Sequence, residues 1–312
     1  MISKYTRITK WYNIKEKSAG VKRLRLTWQI YKHFGEFPVR LIAFWVCLFT
    51  FISNSDIRKS SDVYFKYLYE YTEDKSLKPS ILNSFKQSLS YANSLVDKMI
   101  AYVGEFKNIK FADSKHKGII LDLINKKQGA FFVTNHIGSV EMMRAFLKIA
   151  NVSNVKINVF LQQSQCEVFN EFINNLLIKD EYVELFPVEE INVDTSIKIK
   201  DKIEKGEFVF MAGDRISVGS PDISYSAKLL NHKISLPLGV LKFALLMDCK
   251  IFNILCAKEN DEYKVFLEKI DYSGSNKEKL EKLKEKYVQY LEYSTLKYPC
   301  LLYTSPSPRD TR

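Results

Sequence analysis

One histidine and one carboxylate at short spacing carry the first recognisable chemistry of this chain. They lie in Ala130-Phe-Phe-Val-Thr-Asn-His136-Ile-Gly-Ser-Val-Glu141. The apolar run Ala130 to Thr134 reads as a buried strand, and Val140 to Leu147 reads as helical, so His136 sits on a strand-to-helix turn. Glu141 follows five positions later, in the first turn of the helix. Within a continuous helix that spacing would separate the two by about 140°. With the histidine still on the turn, its ring can fold back onto the carboxylate. An imidazole held by a carboxylate is a general base suited to deprotonating a hydroxyl or thiol. The competing reading is a turn histidine with an ordinary hydrogen bond.

A second polar group, Gly213-Asp214-Arg215, follows the apolar run Phe208 to Ala212. An acid–arginine pair at a strand end can present a fixed guanidinium fork to a phosphate, a carboxylate or a thioester carbonyl. It can equally be a structural ion pair where a loop begins.

The elements that must position these groups follow from periodicity. From Asn108 onward the expected order is strand Ile109–Phe111, helix His116–Asn125, strand Ala130–Thr134 and helix Val140–Ile149. Strand Ile157–Leu161, helix Cys166–Leu177, strand Val183–Phe186, helix Thr195–Glu204 and strand Phe208–Ala212 come next. A hairpin over Tyr225–Ser235, turning at Asn231-His232, precedes helix Val240–Leu246. Strands Ile251–Cys256 and Tyr263–Leu267 and a charged last helix, Lys277–Leu296, complete the pattern. The alternation implies an α/β fold, with a mixed, mostly parallel sheet flanked by helices. Sites in such sheets gather at the carboxyl ends of strands, where both His136 and Asp214-Arg215 fall.

The chain has 312 residues and a net charge of +11, a surplus that favours anionic partners. With no helix-turn-helix, zinc-finger or RNA-binding signature, nucleic acid is not expected among them. Neither a phosphate-binding Gly-rich loop nor a zinc spacing occurs, so no cofactor and no metal are expected. Cys47, Cys166, Cys249 and Cys256 lack Cys-x-x-Cys spacing and read as reduced, buried thiols.

The first forty residues carry ten Lys or Arg against only Glu16 and Glu36, with Trp11, Tyr12, Trp28, Tyr31, Phe34 and Phe37 interleaved. The uncharged run Leu41 to Ile52 follows. As a helix it covers roughly 18 Å, short of a hydrocarbon core of about 30 Å. Basic and aromatic residues on one flank predict a helix lying in or dipping into the inner leaflet of an anionic membrane. A buried core helix is the alternative. Ile57–Tyr71 reads as an amphipathic helix, and Glu73–Lys78 as a joint. Pro79 suits the first turn of a helix running to about Val103. The expected organisation is a basic, aromatic helical membrane-surface region over 1–75 and a catalytic domain over 76–299.

Cys300 to Asp310 break from the preceding helical pattern and resemble a translated frame of a transposase sequencing adapter. Residues 300–312 are therefore expected to be a non-native tail, the natural chain continuing differently after Pro299.

Four landmarks in this order resemble the lipid A late acyltransferase family, within the lysophospholipid acyltransferase superfamily. They are the aromatic and basic leader, including Trp11-x4-Glu16-Lys-Ser-Ala-Gly20 and Arg58-Lys-Ser-Ser61; Asn135-His136-x4-Glu141; Gly213-Asp214-Arg215; and Leu236-Pro237-Leu238-Gly239 before an apolar helix. The likeness spans about Trp11 to Pro299. Glu141 and Gly213-Asp-Arg-Ile-Ser217 stand where glycerol-3-phosphate acyltransferases usually carry Asp and a Pro-Glu-Gly-Thr-Arg block. Gln162-Gln163-Ser164 departs from the Arg-Pro element common in proteobacterial members.

The resemblance implies an O-acyltransferase at the cytoplasmic face of a bacterial inner membrane, peripheral or monotopic. It would move an acyl group from acyl carrier protein or acyl-CoA to a hydroxyl of lipid A or a related outer-membrane lipid. His136 would be the base and Glu141 its orienting carboxylate. Asn135 and the backbone near Gly138 would contact substrate, the latter at the oxyanion. Arg215 would anchor a phosphate or polarise the donor, with Asp214 orienting it. A glycerophospholipid acyltransferase and a catalytically silent membrane-surface binding protein are the alternatives.

Overall fold

The computed structural model describes residues 21–102, 108–137, 155–162, 182–216, 223–259 and 262–301. The helices expected over Val140–Ile149 and Cys166–Leu177, and the leader before residue 21, lie outside the described residues.

Four helices open the described chain: α1 (Val21–Phe34), α2 (Glu36–Ser53), α3 (Ser55–Thr72) and α4 (Ile81–Tyr102). Asn54 caps α3, its side chain accepting from the Asp56 and Ile57 backbone N–H groups. Such a cap satisfies donors that a helix start leaves orphaned, which moves the start two residues ahead of the apolar pattern. The joint after α3 is a left-handed Glu73 (φ 55°) followed by one tight turn, Lys75–Leu77. Pro79 stands two residues ahead of α4 rather than in its first turn.

A seven-stranded sheet follows. Its strands are β1 (Ile109–Phe111), β2 (Ala130–Thr134), β3 (Ile157–Leu161), β4 (Val183–Pro187), β5 (Phe208–Ala212), β8 (Lys250–Glu259) and β9 (Glu262–Ile270). Their spatial order is β1-β9-β8-β2-β5-β3-β4. The run β8-β2-β5-β3-β4 is parallel throughout; β9 runs antiparallel to β8, and β1 is parallel to β9. The chain is thus α/β with a mixed, mostly parallel sheet.

Helices α5 (Ser114–Asn125), α6 (Val193–Glu204), α7 (Gly239–Leu246) and α8 (Asn276–Lys297) flank the sheet. Strand β2 makes plain why its first four residues, Ala130 to Val133, are apolar. Phe131 and Val133 face a core shared with Ile199 and Ile203 of α6, Val240, Leu241 and Phe243 of α7, and Leu283 and Tyr287 of α8. Ala130 and Phe132 face the opposite core, with Ile120 and Leu123 of α5. A central strand covered on both faces has no side on which polar residues are tolerated. Phe65 and Leu68 of α3 join the first of these cores, as do the partly buried Cys300 and Leu301.

Strands β6 (Ser224–Leu229) and β7 (His232–Pro237) form a separate hairpin. Its turn is Leu230-Asn231, one residue earlier than the sequence pattern suggests, with φ 48° and 63°. Two successive positive φ values match the twist of a two-residue hairpin. Leucine tolerates this conformation poorly, but Leu230 is buried and its N–H donates to Glu292 Oε1 of α8 at 3.0 Å.

A buried carboxylate ties the N-terminal helices to the sheet. Asp97 of α4 is fully enclosed and accepts from Arg40 of α2, from Tyr263 Oη at 2.9 Å and from Lys258 Nζ at 3.2 Å. Enclosing a carboxylate is costly unless its lone pairs are satisfied, and three donors do so here.

Candidate active site

Strands β2 and β5 are adjacent and parallel, with Thr134 opposite Ala212. One further rung, Gly213 N–H to Thr134 O at 2.9 Å, holds the strand ends together beyond that register. Two residues past these partners, β2 delivers His136 and β5 delivers Asp214. The sheet's geometry therefore brings together side chains 78 positions apart.

The pair meets at two points. His136 Nδ1 lies 2.7 Å from Asp214 Oδ1, and the His136 backbone N–H donates to Asp214 Oδ2 at 2.9 Å. The Asp214 side chain has no exposed surface, whereas His136 keeps 31% of its own. A carboxylate against Nδ1 favours the tautomer with hydrogen on that nitrogen, which leaves Nε2 as the basic one. Burial alone pushes the Asp214 carboxyl up. The charge and two hydrogen bonds of His136, with the charge of Arg215, overturn that effect and hold it below the ordinary carboxylate value.

Asn135 ends the strand. Its Oδ1 accepts from the Ile137 N–H at 3.1 Å, which fixes the amide and turns the chain. The opposite end of the same amide, Nδ2, is buried and has no hydrogen-bond partner among the described residues. Arg215 is half-buried and near enough for its charge to act on Asp214. Glu141 and Gly138 lie outside the described residues. Sequence reasoning gave Asp214 to Arg215; the structure directs both of its oxygens to His136.

Tyr287 of α8 is a residue the sequence pattern did not single out. Its hydroxyl donates to Thr134 O at 3.0 Å, so that carbonyl receives both Tyr287 and Gly213. The ring lies over Gly213, where a Cβ would stand 2.9 Å from Tyr287 Cζ and 3.1 Å from Val133 Cγ1. Burial, and after it the nearby Asp214 charge, raise the phenol well above its ordinary pKa, so it stays protonated as a donor. The available signal was spacing. Leu283, Tyr287, Leu291 and Ser294 form a buried stripe on a helix otherwise dominated by charge.

Among the described residues no cluster of three or more His, Cys, Asp or Glu could hold a metal ion. A cavity of about 210 Å³, lined by Lys156, Asn158, Tyr182, Glu184 and Lys202, lies at the amino ends of β3 and β4. It is therefore at the end of the sheet opposite His136. No protein-family model matches the chain, and no curated protein matches it either.

Proposed function

We propose that this protein is an O-acyltransferase that moves a fatty acyl group from an acyl thioester to a hydroxyl of lipid A or a related outer-membrane lipid. One observation carries the reading: a half-exposed imidazole pinned through Nδ1 by a fully buried carboxylate, at the carboxyl ends of two central parallel strands. The sheet architecture is of the kind that the resemblance to lysophospholipid acyltransferases implies.

The chemistry follows from the tautomer. His136 Nε2 takes the proton of the acceptor hydroxyl as its oxygen attacks the thioester carbonyl. Asp214 supports the imidazolium that forms. Attack forms the new C–O bond and gives the tetrahedral intermediate; its collapse restores the carbonyl and breaks the C–S bond, and the imidazolium returns its proton to the departing thiolate. Asn135, next to the base in the chain, would offer its amide to a substrate oxygen, and the backbone near Gly138 would serve the oxyanion. Arg215 would meet a phosphate or the donor carbonyl. Glu141 would support the histidine through its surroundings, since Nδ1 is already taken by Asp214. Acyl carrier protein, acidic on its surface, suits a chain of net charge +11, as do the phosphates of acyl-CoA.

Membrane association at the cytoplasmic face belongs to the same proposal. Helix α2 is 18 residues long with a mean hydropathy of 1.6, about 27 Å at the usual rise. One side packs on α4 through Val39 and its neighbours. The other exposes Leu41, Ile42, Trp45, Val46, Phe49 and Ile52 to the surroundings. Arg40, a poor guest in lipid, is bound to Asp97 and Glu36. An uninterrupted apolar stripe on a helix anchored along its other side suits an inner leaflet.

The test is to supply labelled acyl carrier protein or acyl-CoA with a total bacterial lipid extract in detergent micelles, and to identify labelled products by mass spectrometry. Label in a lipid A-type product supports the reading. Label in a glycerophospholipid would move the acceptor class. Lipid binding with no label from either donor would replace the enzyme by a membrane-surface binding protein.

A further inference from the structure

The two strand ends that carry His136 and Asp214 are held by something besides their own ladder. Thr134 O accepts from Gly213 N–H at 2.9 Å and from Tyr287 Oη at 3.0 Å. Thr134 stands two residues before His136, and Gly213 one residue before Asp214. The Tyr287 ring also bears on Gly213 closely enough that even a methyl group there would collide with it. One side chain from α8, 1% exposed, therefore touches both strands at the last point before each delivers its functional group.

We infer that Tyr287 is a positioning residue, which sets the spacing between the strand ends and thereby the contact of His136 with Asp214. A hydrogen bond to a carbonyl that already serves the ladder would be dispensable if strand pairing alone fixed this junction. Beyond Ala212, however, β5 leaves the sheet, and the Gly213 rung is the last backbone tie between the two ends among the described residues. The hydroxyl supplies a second tie from a rigid helix, and side chains fixed by such outer contacts hold the geometry that proton transfer needs. The inference rests on Asp214 holding His136, and not on which reaction the pair performs.

The experiment reads the tautomer of the neutral His136 ring from its nitrogen-15 NMR shifts in Tyr287→Phe, with Tyr290→Phe as the control. Tyr290 is on the same helix, and its hydroxyl donates to Phe266 O at 3.3 Å, remote from the pair. Tyr287→Phe keeps the ring over Gly213 and removes only the hydroxyl. The expected result is a smaller share of the tautomer with hydrogen on Nδ1, as the ring loses part of its hold on the carboxylate. The control should not move it. In an acyl-transfer assay the same variant should lose kcat by about tenfold with KM unchanged. Gly213→Ala, which pushes the ring away from the other side, should shift the tautomer balance in the same direction. A His136 tautomer balance identical to wild type in Tyr287→Phe would overturn the inference, whatever that variant's stability. A shifted balance in a protein without transferase activity would support the positioning role while removing the reaction.

Discussion

Asp214 grips His136 twice, through the ring at Nδ1 and through the main chain at the backbone N–H. A carboxylate bound only to a ring leaves the residue free to pivot about its backbone. Here both the rotamer and the backbone position are set by one fully buried side chain. That arrangement gives the histidine a fixed tautomer and a fixed outward-facing nitrogen before any substrate arrives.

Asp214→Asn tests the grip with little change in shape. The amide cannot support an imidazolium, and it can present its N–H to Nδ1 and so favour the wrong tautomer. A loss of about 10²–10⁴ in kcat is expected, the range for impaired general acid–base catalysis. Glu141→Gln should cost less, because Nδ1 is already engaged. Steady-state kinetics on the two variants decides the matter, and the reverse ranking would return the orienting role to Glu141.

The same carboxylate should register in stability against pH. Its folded pKa lies below the ordinary value of 3.8, so the unfolded chain binds the proton more readily. The contribution to stability is complete above the unfolded pKa and is lost as pH falls through the folded one. Urea denaturation across the acid range should show a steeper loss for wild type than for Asp214→Asn. Parallel curves would mean that the pair does not depress the acid. Glu259 and Glu184, also depressed, are common to both proteins and cancel in the difference.

Gly213→Ala should destabilise the fold by about 1–3 kcal/mol, as overpacking of a close-packed core does. The cause is space, since the added carbon meets Tyr287 and Val133 inside ordinary contact distance. Thermal denaturation reads the effect directly. An unchanged melting temperature would show that the Tyr287 ring yields without cost.

The N-terminal face is tested by Trp45→Gln with Phe49→Gln. Both side chains are exposed, so the fold should survive. Each forfeits about 1.5–3 kcal/mol if it is buried in lipid, which is tenfold or more in partitioning. Cosedimentation with anionic vesicles should fall accordingly, and undiminished binding would remove α2 from the membrane surface.

Most elements were legible in the sequence because burial dictates composition. Strands Ala130–Thr134 and Phe208–Ala212 are apolar throughout, Thr134 excepted, because both faces are covered. Helix starts were less legible. Asn54, Asp113, Asn192 and Ser275 extend their helices through side-chain caps that hydrophobic periodicity does not register. The turn at Leu230-Asn231 was masked because a buried leucine occupies a conformation that local preference assigns to Asn. In the site, His136 and Asp214 were each marked by position at a strand end. Their pairing was not, because it depends on β2 and β5 being neighbours, and strand order cannot be read from spacing along the chain. Glu141, the partner that spacing along the chain suggests, lies outside the described residues.

The most direct measurement is label transfer from acyl carrier protein into lipid by wild type and by His136→Ala, each shown to be folded. Transfer by wild type and a loss of about 10²–10⁴ in the variant are expected. Equal transfer by both proteins would contradict the central claim that His136, held by Asp214, is the base.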